Sequence, residues 1–374
     1  MEEYAYQLAK HLRRLGLDAV ALDTEWSSSS VKVENISGAE VVRIPVKPPT
    51  LNFKRNIIME ILFGRAVSKY LNSQSFDIVH ASTAWAGFIL AISKTRRFVY
   101  TCHNPLWPED KVYLDERVVR LVESYAMRSS DAVVALNKTM YRAIVEKARV
   151  KNNKVVIVPN GVDTDFFKPR LRGDDVLKKF SLEEQGYILF VGRVSPEKGV
   201  HLLLKAFKQV IGKVTRDVKL AIVGPLTSSF TSRGVSPYTE VLVKYARKKL
   251  PGKVVFTGPA SKDMLRILYS NAYCLVLPSL AEAFAMVILE AMASGTPPIG
   301  STAGGTPDII ADRVNGLLFR KEDQEDLARK ILMLIEDKAL RNKLAANARK
   351  TAEENYSWHV VASRIKEVYA RIAT

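Results

Sequence analysis

The chain has 374 residues, 47% hydrophobic and 25% charged, with two cysteines and a formal net charge of +17. That is the composition of a soluble globular protein long enough for two cores, and it excludes a disulfide framework or a cysteine-rich metal site. The basic excess favours an acidic partner, but the basic residues are dispersed and no zinc-finger or RNP pattern occurs, so nucleic acid is not expected. No apolar run approaches a membrane span, and the start Met1-Glu2-Glu3-Tyr4 lacks the basic and apolar regions of a signal peptide.

Residues 2–15 read as an amphipathic helix, with Tyr4, Leu8, Leu12 and Leu15 at helical spacing and Gly16 closing it. Strands are expected at 19–22, 41–46, 78–80, 98–102, 132–136 and 155–158, with helices at 53–71, 84–92, 116–127 and 139–147 between them. Residues 159–186, rich in Pro, Gly and Asp, read as an interdomain linker and entry segment. A second alternating series follows, with strands at 187–191, 218–223, 254–257, 274–277 and 298–300. Its helices are expected at 199–211, 238–249, 262–269 and 286–293, and three more close the chain at about 322–336, 338–353 and 357–372. The pattern predicts an α/β protein of two Rossmann-like, doubly wound domains facing a cleft. The domains are expected at 1–168 and 169–355, with a helix at 356–374 crossing back to the first.

The first domain opens on a helix, whereas a doubly wound domain normally begins with a central strand and a glycine-rich turn. Either the fold dispenses with that strand or, the reading preferred here, the start lies about fifteen to twenty residues inside the natural gene product.

Three stretches carry candidate chemistry. In Val191-Gly192-Arg193-Val194-Ser195-Pro196-Glu197-Lys198-Gly199, Gly192 turns the chain after a strand. Arg193 and Lys198 then stand where open α/β sheets bind ligands, as two cations suited to a diphosphate or as solvated loop charges. In the run from Pro278 to Gly295, Glu282 lies in a turn, Ala283 and Ala285 flank Phe284, and Glu290 sits about one and a half turns into a helix. That helix N-terminus suits phosphate, and the carboxylates suit sugar and ribose hydroxyls. A helical Glu is usually a solvated charge, but Glu290 lies in the apolar run 286–292, where an unpaired charge is costly. The third stretch, Thr101-Cys102-His103-Asn104-Pro105, makes His103 the best histidine candidate for acceptor or leaving-group contact. Asp163-Thr164-Asp165 resembles a metal motif, yet it follows Pro159-Asn160-Gly161, where Asp serves turns and caps. No metal site is expected.

Taken together, VPNGVDTDFF, VGRVSPEKG, VVFTGPASKDMLRILYSNAYCLVLPS, Glu282-x₇-Glu290 with EAMASGTP, and YSWHVVASRIKEVYARI stand in an order that resembles the family 4 (group 1) retaining glycosyltransferases of the GT-B fold, over essentially the whole chain. The resemblance implies that Arg193 and Lys198 hold the donor diphosphate and Glu290 the ribose hydroxyls. Glu282 lies near the transferred sugar, and Phe284, Ala285, Met286 and Val287 supply backbone amides. Gly192 and Gly258 belong to loops around the nucleotide, and His103 matches the family's active-site histidine. It also implies a nucleotide-sugar donor, UDP- or GDP-linked, no metal or other cofactor, and transfer of a hexose to a glycan or lipid-linked acceptor. The alternative is a non-catalytic nucleotide-sugar-binding subunit. Two departures stand out: Ala283 and Ala285 replace the usual glycines, and the first strand with its Gly-Gly loop is absent from the sequence. Lys54, Arg55, Lys94, Arg96 and Arg97 suit an anionic membrane surface. The expected location is therefore cytoplasmic, peripheral on the membrane face.

Overall fold

The computed structural model describes residues 2–25, 30–47, 55–93, 97–103, 114–227 and 235–373. Lys54, Lys94, Arg96, Asn104 and Pro105 lie outside the described residues, as does the side chain of Arg55. Contacts divide the chain into two units, Met1–Gly161 with Trp358–Thr374, and Val162–Ser357.

The first unit begins with α1 (Glu2–Arg14) and then β1 (Ala21–Glu25), β2 (Lys32–Ile36) and β3 (Ala39–Pro45). These strands form one sheet in the order β1-β3-β2, with β1 parallel and β2 antiparallel to β3. The series continues as α2 (Arg55–Asn72), β4 (Val79–Ala81), α3 (Ala84–Ile92), β5 (Phe98–Cys102), α4 (Leu114–Ser129), β6 (Ala132–Ala135), α5 (Lys138–Glu146) and β7 (Val155–Ile157). Strands β4 to β7 make a second, wholly parallel sheet in chain order.

A single parallel sheet was the expectation for this unit, so two separate sheets are a correction. The hairpin strand β2 is also new. It is almost entirely exposed and so carries no apolar alternation for sequence reading to detect. Ser37 and Gly38, both at positive φ, close the hairpin in the sense that matches strand twist. Helix α1 serves both sheets. Tyr4, Leu8 and Leu12 pack with Val99 and Val134 of the parallel sheet, and Ala9 packs with Ala21, Ala39 and Val41 of the other.

The second unit opens with α6 (Asp174–Lys179) and β8 (Tyr187–Val191), then α7 (Val200–Ile211), β9 (Lys219–Val223), α8 (Pro237–Lys249) and β10 (Val254–Gly258). It goes on with α9 (Lys262–Ser270), β11 (Cys274–Leu277), α10 (Met286–Ala293), β12 (Pro298–Ser301), α11 (Thr306–Ile309), β13 (Leu317–Phe319), α12 (Gln324–Glu336) and α13 (Lys338–Thr351). The helix starts are legible: Ser236, Ser261, Asp323 and Asp337 each cap one by accepting a backbone N–H. The six parallel strands run β10-β9-β8-β11-β12-β13, so chain direction across the sheet reverses between β8 and β11. Open α/β sheets bind ligands at the strand carboxyl ends beside such a reversal. Cys102 and Cys274 are both buried and form no disulfide.

Residues 162–186 do not behave as a linker. Val162, Phe167, Leu177 and Leu182 are buried in the second unit's core. Arg349 of α13 fastens the segment: its Nη1 donates to the carbonyls of Thr164 at 3.0 Å, Phe167 at 2.8 Å and Ala293 at 2.5 Å. Asp163 accepts from the amides of Asp165 and Phe166, the turn role expected of it. The first boundary therefore falls at 161/162 rather than 168/169, and the second at 357/358 rather than 355/356. The last helix, α14 (Trp358–Ala373), belongs to the first unit, where Trp358, Val361 and Ile365 pack with the α1 stripe. Gly161 lies flat against it, since a Cβ there would fall 2.4 Å from the Trp358 ring. No helix among the described residues is long and apolar enough to cross a membrane.

The Arg349 bonds are charge-assisted and serve three main-chain carbonyls. Arg349→Ala is expected to destabilise the second unit by about 2–3 kcal/mol. Urea unfolding followed by circular dichroism measures this, and an unchanged midpoint would show that apolar contacts alone hold residues 162–168.

Candidate functional site

The candidate residues of the second unit gather at the reversal. After β8 the chain turns at Gly192, whose N–H donates to Val223 O at 2.9 Å, and Gly224 N–H donates to Gly258 O at 2.9 Å. A Cβ on Gly224 would lie 2.1 Å from Gly192 O, so the β8 and β9 loops meet backbone to backbone. A short 3₁₀ turn, Pro196–Lys198, leads to Gly199 at φ 68°. There a Cβ would lie 2.0 Å from Pro278 O, on the chain leaving β11. Leu280 N–H donates to Glu197 O at 2.8 Å, and Gly305 N–H, beyond β12, donates to Glu282 O at 2.9 Å. Gly304 is pressed as closely, its missing Cβ 2.0 Å from Glu282 O. Four loops, those after β8, β9, β11 and β12, are thus interlocked through main chain, and small residues are obligatory at the crossings.

The side chains complete this arrangement. Lys198 Nζ donates to Glu282 Oε2 at 2.7 Å, and Ser279 Oγ donates to the same oxygen at 3.2 Å. Arg193 Nη2 donates to Glu197 Oε1 at 2.8 Å, and Ser195 Oγ donates there at 2.5 Å. Burial pushes the Glu197 carboxyl up, but the Ser195 hydroxyl, the backbone amide and Arg193 outweigh it and leave its pKa lowered. Both cations are therefore oriented by carboxylates rather than loose on the loop. Glu290 lies on α10, whose N-terminus has no side-chain cap. Its Oε2 accepts from Tyr269 OH at 2.8 Å. Gly258 ends β10 at φ 71° beside a register shift, with open space where a Cβ would stand.

In the first unit, His103 follows β5 and packs edge-on against Tyr4, ring centroids 4.5 Å apart. Its Nε2 is buried with no hydrogen-bond partner among the described residues, and burial lowers its pKa to about 4. His80 bridges the sheet to α14: Nδ1 meets Tyr369 OH and Nε2 meets Thr101 Oγ1, each at 2.6 Å. Desolvation lowers His80 to about 3, so both histidines are neutral at pH 7. Glu123, unremarked in the sequence, is buried on the opposite face of β5. It accepts from Tyr100 OH at 3.0 Å, and burial pushes its pKa up to about 6. Among the described residues, no group of three or more His, Cys, Asp or Glu could hold a metal ion.

Residues 174–351 match the family Glycosyl transferases group 1, and residues 1–166 match Glycosyltransferase Family 4. The chain belongs to the group 1, family 4 glycosyltransferases. It is 26% identical over 392 aligned residues to a D-inositol 3-phosphate glycosyltransferase of Nocardioides sp., covering 99% of this chain and 85% of that one. Sucrose-phosphate synthase from Thermosynechococcus elongatus shares the fold at a TM-score of 0.81 and 22% identity, over 99% of this chain and 92% of that one. Anabaena HepE, solved with UDP and glucose, superimposes at 0.72 with 23% identity, over 88% and 86%. The fold of this glycosyltransferase is GT-B.

Of the residues singled out from sequence, the structure joins Lys198 to Glu282 directly and links Arg193 to the same loops through Glu197. It sets Gly192 and Gly258 in neighbouring loops, and Phe284 to Val287 at the start of α10. Sequence reading assigned no role to Glu197, Ser279, Tyr269, Gly224 or Gly304. Glu197, four residues after Arg193, and Ser279, three before Glu282, were findable as local contacts; Tyr269, Gly224 and Gly304 depend on contacts between distant segments. Gly199→Ala is expected to lower the thermal midpoint of this glycosyltransferase by many degrees, because the new methyl must part the β8 and β11 loops. Gly258→Ala meets no atoms and should cost only about 1–2 kcal/mol of backbone strain. Equal losses in differential scanning fluorimetry would argue against the close approach.

Proposed function

We propose that this glycosyltransferase moves a hexose, with retention of anomeric configuration, from a UDP- or GDP-sugar to a glycan or lipid-linked acceptor. The observation that carries the reading is the Lys198–Glu282 pair beside Arg193 at the reversal of strand order. UDP and glucose in the similar HepE structure support a nucleotide-sugar donor.

In this reading the bond from the anomeric carbon to the diphosphate oxygen breaks and the bond to the acceptor oxygen forms. Arg193, Lys198 and the α10 amides stabilise the charge on the departing nucleoside diphosphate, so no metal ion is required. A phosphate oxygen of the donor takes the acceptor's proton, and no protein base is needed. Glu290 accepts hydrogen bonds from the ribose. Glu282 orients the sugar: ion-paired with Lys198 and bonded by Ser279, it is a poor nucleophile. Neutral His103 serves as a hydrogen-bonding group, not a cation.

A thermal-shift and hydrolysis panel of nucleotide sugars is the test. At least one UDP- or GDP-sugar is expected to raise the midpoint, with or without EDTA. Arg193→Ala and Glu290→Ala should each weaken its binding about 10- to 100-fold, the loss of a charge-assisted hydrogen bond. If nothing binds and neither variant changes anything, the donor site lies elsewhere.

We also propose that the enzyme works at the cytoplasmic face of an anionic membrane. On α4, Val118, Leu121 and Tyr125 are exposed, Leu121 at 70%, on one helical face with exposed Arg117 and Arg128. An apolar stripe flanked by cations suits the interface of an anionic bilayer. The protein should co-sediment with phosphatidylglycerol vesicles at low salt, and Leu121→Asp should reduce the bound fraction several-fold without lowering the thermal midpoint. Absence of wild-type binding at low salt would remove the membrane from the proposal.

A further inference from the structure

We propose that Tyr269 is a positioning residue for ribose recognition: its buried hydroxyl holds the Glu290 carboxylate in the orientation that reads the donor's ribose hydroxyls. The inference rests on the donor-site reading of Glu290 and adds the residue on which that reading's selectivity depends.

Tyr269 stands in the last turn of α9 and is completely buried. Its ring packs edge-on against Phe167, centroids 5.9 Å apart. Phe167 is itself held by Arg349 through its carbonyl at 2.8 Å. The main chain of the same turn is fixed from two sides. Thr296 Oγ1 donates to Tyr269 O, and Tyr187 OH, at the start of β8, donates to Leu268 O at 2.6 Å. A tyrosine so anchored has little freedom to move its hydroxyl. That hydroxyl donates to Glu290 Oε2 at 2.8 Å. Burial, followed by the Glu290 charge, raises the Tyr269 pKa well above its ordinary value, so the group remains a donor at every working pH.

Glu290 needs such support. It is flanked on α10 by Leu289 and Ala291, both fully buried. Its side chain has three torsions, and the bond from the Tyr269 hydroxyl restricts where its Oε2 can lie. A glutamate that accepts ribose hydroxyls must present its oxygens in one direction before the ligand arrives, or the ordering cost is subtracted from affinity. The rigid phenol supplies that direction from inside the core. Its effect should therefore fall on ribose selectivity, and not on the phosphate grip of Arg193 and Lys198.

The experiment is isothermal titration of wild-type protein, Tyr269→Phe and Glu290→Ala with UDP, GDP, their 2′-deoxy and 3′-deoxy forms, and inorganic pyrophosphate. Wild type is expected to favour one ribonucleotide over a deoxy form by about tenfold, the size of one good hydrogen bond. Tyr269→Phe should shrink that ratio to about threefold or less while pyrophosphate affinity stays within about twofold. Glu290→Ala should abolish the ratio. If Tyr269→Phe weakens all ligands in parallel and preserves the ratio, its role is structural and the inference fails. If Glu290→Ala abolishes the ratio and Tyr269→Phe leaves it intact, the inference fails while the donor-site reading stands. If Glu290→Ala preserves a wild-type ratio, the reading of Glu290 falls first. Should Tyr269→Phe not fold, 4-fluorophenylalanine at position 269 removes the hydroxyl donor while filling its space, and the same loss of ratio is expected.

Discussion

The backbone crossing of Gly199 over the Pro278 carbonyl is the constraint on which the second unit's site depends. Strands β8 (Tyr187–Val191) and β11 (Cys274–Leu277) are neighbours in the sheet although 82 residues lie between Val191 and Cys274. The loops that leave them must separate to reach helices α7 and α10. Only a residue without a side chain, at positive φ, lets the first loop pass this close to the second. Gly224 under Gly192 and Gly304 under Glu282 repeat the device on either side. The charged side chains are then carried on a frame set by main-chain contacts, and the ion pair of Lys198 with Glu282 follows from the crossing.

Charge balance shapes what this site can do. Two cations and two carboxylates are paired, each side chain at most partly exposed. Pairing limits the energetic cost of holding charge near the core. In the proposed donor-site reading, an incoming diphosphate would meet arms already aimed, with hydroxyls from Ser195 and Ser279 bonded to the carboxylates. The Tyr269–Glu290 bond extends the same logic inward, from loop to helix core. Preorganised groups of this kind stabilise developing charge without rearranging at the moment of reaction.

The first unit is built on different terms. Helix α1 bridges two separate sheets, and α14 packs on its apolar stripe, so both ends of the chain meet in one cluster. Within it, His80 and His103 are deprived of solvent and kept neutral, while Tyr4, Thr101 and Tyr369 supply hydrogen bonds or ring contacts. Protonating either histidine would place charge in a desolvated region, and burial is the main cause of their low pKa values.

By itself the sequence determined the alternation of strands and helices, the caps and the turn at Asp163, and it singled out Arg193, Lys198, Glu282 and Glu290 as candidates. These are local signals: periodicity, capping residues and charges set after apolar strands. It did not reveal β2, whose exposed face has no apolar rhythm, nor the incorporation of residues 162–186 into the second core, which depends on Arg349 nearly two hundred residues away. The order β10-β9-β8-β11-β12-β13, the glycine crossings and the partners of Glu282 and Glu290 were decided only in three dimensions. Each joins segments distant in the chain, and no spacing along one dimension encodes which carbonyl a missing Cβ makes room for or which phenol reaches a carboxylate.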